Sequence, residues 1–425
     1  MSRANASRAL RRRWRAIPRP VVGRVLPPDL RAPRVARVGR ELPEGLHDPG
    51  FATLLRRIDG APLLPSYKVE PFFRGADAFA AMRDAIAAAR REVLLESYIF
   101  NDDRVGREMA HQLAEAARRG VTVRVLADAF GSSATRREFW HQLLERGVDV
   151  RLYNPLFSKL WNQAHRDHRK ILVVDRDVAF TGGMNVGDEY GLTKVDGVDP
   201  WRDTHVAVTG PTAWEMAVVF AEGWHRAGGT PFELPPLSPD FDDGVPTLVL
   251  DSRPGRGHEE SAAVLAAIIG GARRYVWITN SYFAPKTALL DLLGDAAARG
   301  VDVRLLLPAL SDVPIVRHAG HGFFAGLLRR GVRVFEYEAS ILHAKSLVAD
   351  DWVSVIGSTN MDYRSFHWNA ECNLVFLDTT TAARLREAFE SDLELSREIV
   401  LDEWRRRPLL HRIGDGLARC LTPLL

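Results

Sequence analysis

Two phrases that recur later in the 425-residue chain limit its possible folds more than any other feature. Residues 115–126 read EAARRGVTVRVL and residues 295–306 read DAAARGVDVRLL, an offset of 180. Residues 143–153 (LLERGVDVRLY) return at 327–337 (LLRRGVRVFEY), an offset of 184. Independent matches in the same order indicate a duplicated unit. In the first copy, residues 92–100 read as a buried strand and 105–119 take helical spacing up to Gly120. Residues 121–128 alternate as a strand, 137–146 are helical up to Gly147, and 148–153 form another strand. In the second copy these elements fall at 275–283, 289–299, 301–307, 323–330 and 332–337. The alternation predicts an α/β fold with a mainly parallel or mixed sheet covered by helices in each copy. Apolar residues make up 46% of the chain, enough for a core in both.

Pro, Gly and Asp crowd residues 228–254, which marks a linker. The expected organisation is an Arg-rich extension over 1–60, a first domain over 61–227, this linker, a second domain over 255–400 and a C-terminal segment over 401–425.

The repeat carries chemistry. The first copy contains His168-Arg-Lys170, then Asp175, then Gly182-Gly183-Met184-Asn185. The second contains His343-Ala-Lys345, then Asp350, then Gly357-Ser358-Thr359-Asn360, at a constant offset of 175. Two such matches at one place in a repeated fold are not chance. In extended chain, residues i and i+2 share a face, so each His projects beside its Lys. An imidazole offers a nucleophile or a proton carrier, and the lysine a positive charge. Asn185, Asn360 and Ser358 add donors in the turns. Two such sets facing each other would surround one anionic group, and a phosphoryl group is the natural occupant. No His/Asp/Glu cluster has obvious metal-ligand spacing.

This pattern resembles the HKD motif of the phospholipase D superfamily, and the resemblance covers residues from about 63 to 408. Within the superfamily, LLESYIFNDDRVG (94–106), DHRKILVVDRDVAFTGGMN (167–185), WRDTHVAVTGP (201–211) and ILHAKSLVADDWVSVIGSTNMDYRSF (341–366) are similar to bacterial cardiolipin synthases, in the form lacking transmembrane helices. The resemblance implies two phospholipase D-like lobes with the active site at their pseudo-twofold interface. It implies one His attacking phosphorus and the other serving as acid and base, with neither metal nor cofactor, in agreement with the lack of metal-ligand spacing. His168 is assigned as nucleophile and His343 as acid/base, an assignment that the internal symmetry does not secure. Asp203 in Trp201-Arg-Asp203 and Glu371 in Asn369-Ala-Glu371 fit the family's orienting acids. Asp175 and Asp350 complete the motif and join the catalytic set, although as strand-end residues they are expected to bond turns and backbone. The implied reaction moves a phosphatidyl group from one phosphatidylglycerol to another and releases glycerol. The implied partners are phosphatidylglycerol and an anionic membrane surface, not nucleic acid, with the protein peripheral on the cytoplasmic side of a bacterial membrane. A phospholipid hydrolase, a nucleic-acid phosphodiesterase and a catalytically dead lipid-binding protein are the alternatives.

Charge distribution bears on attachment. Residues 1–40 hold twelve Arg and one acid, Asp29, while the whole chain is only +3, so the remainder is net negative. Such a head suits an anionic partner, and an acidic body argues against nucleic acid. No apolar run reaches the about 18–20 residues of a membrane span. After Trp404-Arg-Arg-Arg407 come Leu409, Leu410, Ile413, Leu417, Leu421 and Leu424, with His411, Arg412 and Arg419 between. That nearly helical pattern fits either a helix lying on an anionic membrane or one packed on the protein's own core. Cys372 reads as a small buried residue and Cys420 forms no pattern with it. His165, His205 and especially His318 are further candidates for substrate contact, and Glu96, Tyr98 and Tyr282 for cleft lining. Trp214, Phe220 and Trp224 read as core.

Overall fold

The computed structural model describes residues 31–155, 165–191, 199–237, 241–255 and 257–422. The first thirty residues of the Arg-rich head lie outside the described residues, as do Pro423 and Leu424. Strands run in chain order as β1 (Leu64–Ser66), β2 (Val69–Phe72), β3 (Glu92–Ser97), β4 (Thr122–Asp128), β5 (Asp149–Tyr153), β6 (Lys170–Val174), β7 (Val178–Gly182), β8 (His205–Thr209) and β9 (Val245–Ser252). They continue as β10 (Tyr275–Asn280), β11 (Phe283–Ala284), β12 (Asp302–Pro308), β13 (Arg333–Tyr337), β14 (Lys345–Ala349), β15 (Val353–Gly357), β16 (Met361–Asp362), β17 (Glu371–Leu377) and β18 (Ser396–Glu398). The α-helices are α1 (Ala32–Glu41), α2 (Pro49–Asp59), α3 (Gly75–Ala88), α4 (Arg104–Arg118), α5 (Arg137–Glu145) and α6 (Pro211–Arg226). The second half adds α7 (His258–Gly271), α8 (Thr287–Ala298), α9 (Pro314–Arg329), α10 (Thr379–Glu394), α11 (Leu401–Arg405) and α12 (Leu409–Cys420).

The duplication is visible strand for strand. One sheet has the order β2-β8-β7-β6-β3-β4-β5 and the other β1-β9-β17-β15-β14-β10-β12-β13-β18. Without its edge strands β1 and β18, the second sheet repeats the first. In each, three strands at one end pair in parallel, β3-β4-β5 and β10-β12-β13. The other pairings are antiparallel, which makes both sheets mixed. Helices α6 and α10 lie between the sheets, each touching strands of both. Trp214, Phe220 and Trp224 of α6 are buried there, as their spacing predicts. A single apolar cluster joins Ile171, Val206 and Phe220 of the first lobe to Trp277, Leu374 and Phe376 of the second, so the lobes share a core.

Composition misplaces two segments. Residues 245–252, assigned to the linker, are β9, paired with β17 and β1 within the second sheet. The prolines and acids just before this stretch mask its alternation. Helices α1 and α2, from the Arg-rich extension, bury Val35, Phe51, Leu54 and Leu55 in the second lobe's core. Helix α1 crosses α7 so closely that a methyl group on Gly270 would lie 2.3 Å from the Ala36 carbonyl oxygen. Residues ahead of the first lobe thus complete the second.

Asp175 and Asp350, counted with the catalytic set through the motif, bond backbone as their strand-end positions predict. Each sits at the far end of its five-residue strand, roughly 16 Å from the motif lysine. Asp175 accepts backbone N–H groups of Arg90, Arg91 and Glu92 at 2.9, 2.7 and 2.9 Å. Asp350 does the same for Arg273, Arg274 and Tyr275 at 2.7, 2.9 and 2.9 Å. Both have positive φ, 54° and 52°, as their tight hairpins require. They tie the hairpin to the start of the neighbouring antiparallel strand, β3 or β10. Asp175→Ala should therefore destabilise the protein by about 1–3 kcal/mol in urea unfolding. Turnover per folded molecule should stay within about twofold, whereas a catalytic carboxylate would lose far more.

Candidate active site

Both motifs arrive at the lobe interface by the same backbone device. Asp167 bridges Ala370 and, in mirror fashion, Arg202 bridges Leu342. The His168 N–H donates to the Ala370 carbonyl at 2.9 Å, and the His343 N–H to the Arg202 carbonyl at 2.7 Å. Each bridge therefore lays a motif histidine next to an acid from the opposite lobe. Glu371 lies 3.0 and 3.1 Å from His168 Nδ1 through its two oxygens. Asp203 Oδ2 lies 2.7 Å from His343 Nδ1. Each lobe thus orients the other's histidine. Spacing identifies both acids, but the exchange is not visible in sequence. With Nδ1 bound to a carboxylate, Nε2 of each ring is the atom left for chemistry.

The lysines follow their histidines onto β6 and β14. Lys170 Nζ donates to the His168 carbonyl at 2.6 Å, and Lys345 Nζ lies 2.9 Å from both ring nitrogens of His343. His168, Lys170, His343 and Lys345 are all buried, as are Asp203 and Glu371. Burial pushes Lys170 down to about 7, against the pull of Glu371, and Lys345 down to about 8, against Asp203. Burial likewise lowers His168, with Glu371 opposing, and drives His343 well down, with Lys345 reinforcing. A phosphoryl group would supply counter-charge to the two buried lysines and favour their charged forms.

The two acids are not equivalent. Burial alone would raise Glu371, but His168, Lys170 and the Ser358 hydroxyl hold it lower. The Ser358 and Ser365 hydroxyls donate to its two oxygens at 2.5 and 2.8 Å. Asp203, by contrast, is raised to about 6 by burial, with Lys345 opposing. Its place is made by Gly183, where a methyl group would stand 2.1 Å from Asp203 Oδ1. The second motif has Ser358 at the matching position. The Ser358 hydroxyl is thus spent on Glu371 rather than turned to a substrate oxygen. The donor role expected of Ser358 belongs to holding the acid.

Asn185 and Asn360 lie with this group. The Asn185 amide accepts from the Ile99 N–H at 3.2 Å and donates to the Tyr190 hydroxyl at 3.1 Å. Asn360 Oδ1 accepts from Ser281 at 2.8 Å, which leaves its amide nitrogen as a donor. Tyr98 presents its ring edge to His168 at 5.0 Å, and Tyr282 to His343 at 6.1 Å, so both line the site. Sequence reasoning missed Tyr190 and Trp201, whose rings pack 5.8 and 5.5 Å from His343. It also missed Arg169, fully buried between the lobes, 3.4 Å from Glu96 and 3.7 Å from Asp251. Glu96 is thus a partner of Arg169 beneath the site. His205 is buried on β8 beside Gly182. His165 packs on Trp368, and His318 turns to the C-terminal helix, where Nδ1 lies 2.9 Å from Asp415.

The hydroxyls on Glu371 give a pH test. A carboxylate needed in ionised form supports activity above its pKa and fails as pH falls through it. Ser358→Ala removes a donor to the charged form and raises that pKa. The acid limb of the pH–rate profile should therefore move to higher pH, while the alkaline limb stays in place. An unmoved acid limb would mean that Glu371 is not the group titrating there.

Comparison with known proteins agrees with this geometry. Residues 82–193 and 265–393 match the family model described as the phospholipase D-like domain of cardiolipin synthase. Cardiolipin synthase A of Pseudomonas syringae pv. syringae is 38% identical over 374 residues, 87% of this chain and 77% of that protein. Cardiolipin synthase of Halalkalibacterium halodurans is 34% identical over 387 residues, 90% of this chain and 77% of that protein. In fold, the chain is similar to a phosphatidylserine synthase from Haemophilus influenzae, with a TM-score of 0.66, 12% identity, and 86% and 97% of the two chains covered. Two phospholipase D-like lobes and these relatives establish that the chain belongs to the cardiolipin synthase family of the phospholipase D superfamily.

Proposed function

We propose that this phosphatidyltransferase makes cardiolipin from two molecules of phosphatidylglycerol, at the cytoplasmic face of a bacterial membrane, with His168 as nucleophile and His343 as acid and base. The observation that carries this reading is the pair of reciprocal His–carboxylate contacts across the interface, with a lysine beside each. His168 Nε2 attacks phosphorus, and the bond from phosphorus to the departing glycerol oxygen breaks. His343 gives its Nε2 proton to that oxygen, and glycerol leaves. The hydroxyl of a second phosphatidylglycerol then gives its proton to His343 and attacks phosphorus, and the P–N bond breaks. Lys170, Lys345 and the Asn185 and Asn360 amides receive the non-bridging oxygens.

The asymmetry of the acids supports the division of labour. Glu371, held ionised by two hydroxyls, fixes the proton of His168 on Nδ1 and keeps Nε2 as a lone pair. His343 and Asp203 sit where burial disfavours charge on both, which suits a pair that gains and releases a proton in one cycle. Burial of both histidines favours a lipid hydroxyl over bulk water as acceptor. Membrane association follows from phospholipid substrates. Among the described residues, no helix is long and apolar enough to cross a membrane, so a peripheral contact is the form proposed.

The purified chain given phosphatidylglycerol should yield cardiolipin and glycerol in equal amounts. His168→Ala and His343→Ala should each lose about a thousandfold or more. Phosphatidic acid as the main product would favour the hydrolase reading instead.

A further inference from the structure

The C-terminal helix is built with its polarity inverted. Among the residues of α12, those turned inward are Asp415 and Ala418. Asp415 lies 2.9 Å from His318 Nδ1, 3.6 Å from His321 Nδ1 and 3.0 Å from the Arg407 guanidinium. The Arg419 guanidinium stacks 4.7 Å over the ring of Phe323. The helix is therefore held to α9 by its polar side. Its apolar side faces out: Leu409, Leu410, Ile413, Leu417 and the following Leu421 are all exposed, Leu410 by 81% and Leu417 by 67%. A helix docked only to stabilise the protein would bury these residues and expose the aspartate.

Charge says what covers this face. Arg405, Arg406, His411 and Arg412 are exposed around it. An apolar stripe edged by basic residues matches an anionic lipid surface, where leucines enter the acyl boundary and arginines meet headgroup phosphates. On its inward side the helix packs against the chain that leads to the active site. Ala418 packs on Ala284 and Ala319. Ala284 lies two residues after Tyr282, which faces His343 and donates to Asp312 at 2.6 Å. Leu310, ahead of the same supporting helix, and Ile315, in its first turn, are exposed as well. A bilayer touching α12 would thus lie beside the wall of the His343 half-site.

We infer that the exposed face formed by Leu409, Leu410, Ile413, Leu417 and Leu421 docks on an anionic phospholipid bilayer, so that lipid reaches the two-histidine site without leaving the membrane surface. The inference rests on the lipid-phosphate function proposed above, but its test does not depend on turnover.

The full chain should bind vesicles of mixed phosphatidylcholine and phosphatidylglycerol, and bind phosphatidylcholine alone much more weakly. Leu410→Ser with Leu417→Ser should weaken binding by about tenfold or more while leaving activity on detergent-dispersed lipid within about twofold. Arg405→Gln with Arg406→Gln and Arg412→Gln should weaken the preference for anionic vesicles, the remainder resting on the Arg-rich head. Cys420 is exposed and Cys372 buried, so an environment-sensitive dye on Cys420 reports the contact in the chain without substitutions. Its emission should shift to the blue when mixed vesicles are added. Vesicle binding unchanged by the leucine substitutions, or an unshifted dye, would overturn the inference. So would a change from dimer to monomer in sedimentation velocity, which would show that a second copy covers the face. Vesicle binding with no lipid turnover in any form would count against the enzymatic reading and leave this one standing.

Discussion

Everything at the centre of this protein depends on two carboxylates that cross between the lobes. Glu371 leaves the second lobe to hold His168, and Asp203 leaves the first to hold His343. Neither lobe alone contains an oriented histidine. The shared apolar core, the helices sandwiched between the sheets and the paired backbone bridges all keep this exchange in register. Duplication makes such an arrangement economical to specify, since one local pattern, used twice and turned to face itself, gives a complete acid–base and nucleophile set.

The exchange is costly in a buried setting. Two histidines, two lysines, two acids and Arg169 lie out of water near the interface. Isolated charges there would cost several kcal/mol each, and pairing with good hydrogen bonds is what offsets it. The lysines remain only partly compensated, which is why burial brings both so near neutral pH. Such stored electrostatic tension is usual where a charged ligand is to be bound. Low effective dielectric also strengthens each contact to a phosphoryl oxygen.

Much of this was legible because it is local. The alternating strands, the glycine-terminated helices and the i, i+2 projection of His and Lys depend on neighbours in sequence, and the parallel strands of each sheet and the paired His and Lys of each motif follow. What was not legible depends on residues far apart. Ser358 read as a phosphate donor because it follows Gly357, yet its hydroxyl meets Glu371, which returns to it along the next strand of the sheet. Asp175 and Asp350 were expected to bond backbone as strand-end residues, but which backbone, the start of β3 and of β10, depends on strand pairing far away in the chain. Strand β9 hid behind prolines, and α9 starts earlier than its apolar pattern because Pro314 occupies the first turn, where its missing N–H costs nothing. The C-terminal pattern was recognisable as amphipathic, but which side faces in is decided by Asp415 meeting His318, far away in the chain.

The central claim is that these two half-sites act as one centre, with His168 carrying the phosphatidyl group between two alcohols. Rapid quenching of the active enzyme with labelled phosphatidylglycerol, followed by mass spectrometry of its peptides, tests this most directly. The account predicts phosphatidyl label on His168, lost when the second alcohol is supplied. Label on His343, or on neither histidine while cardiolipin is being formed, would contradict it.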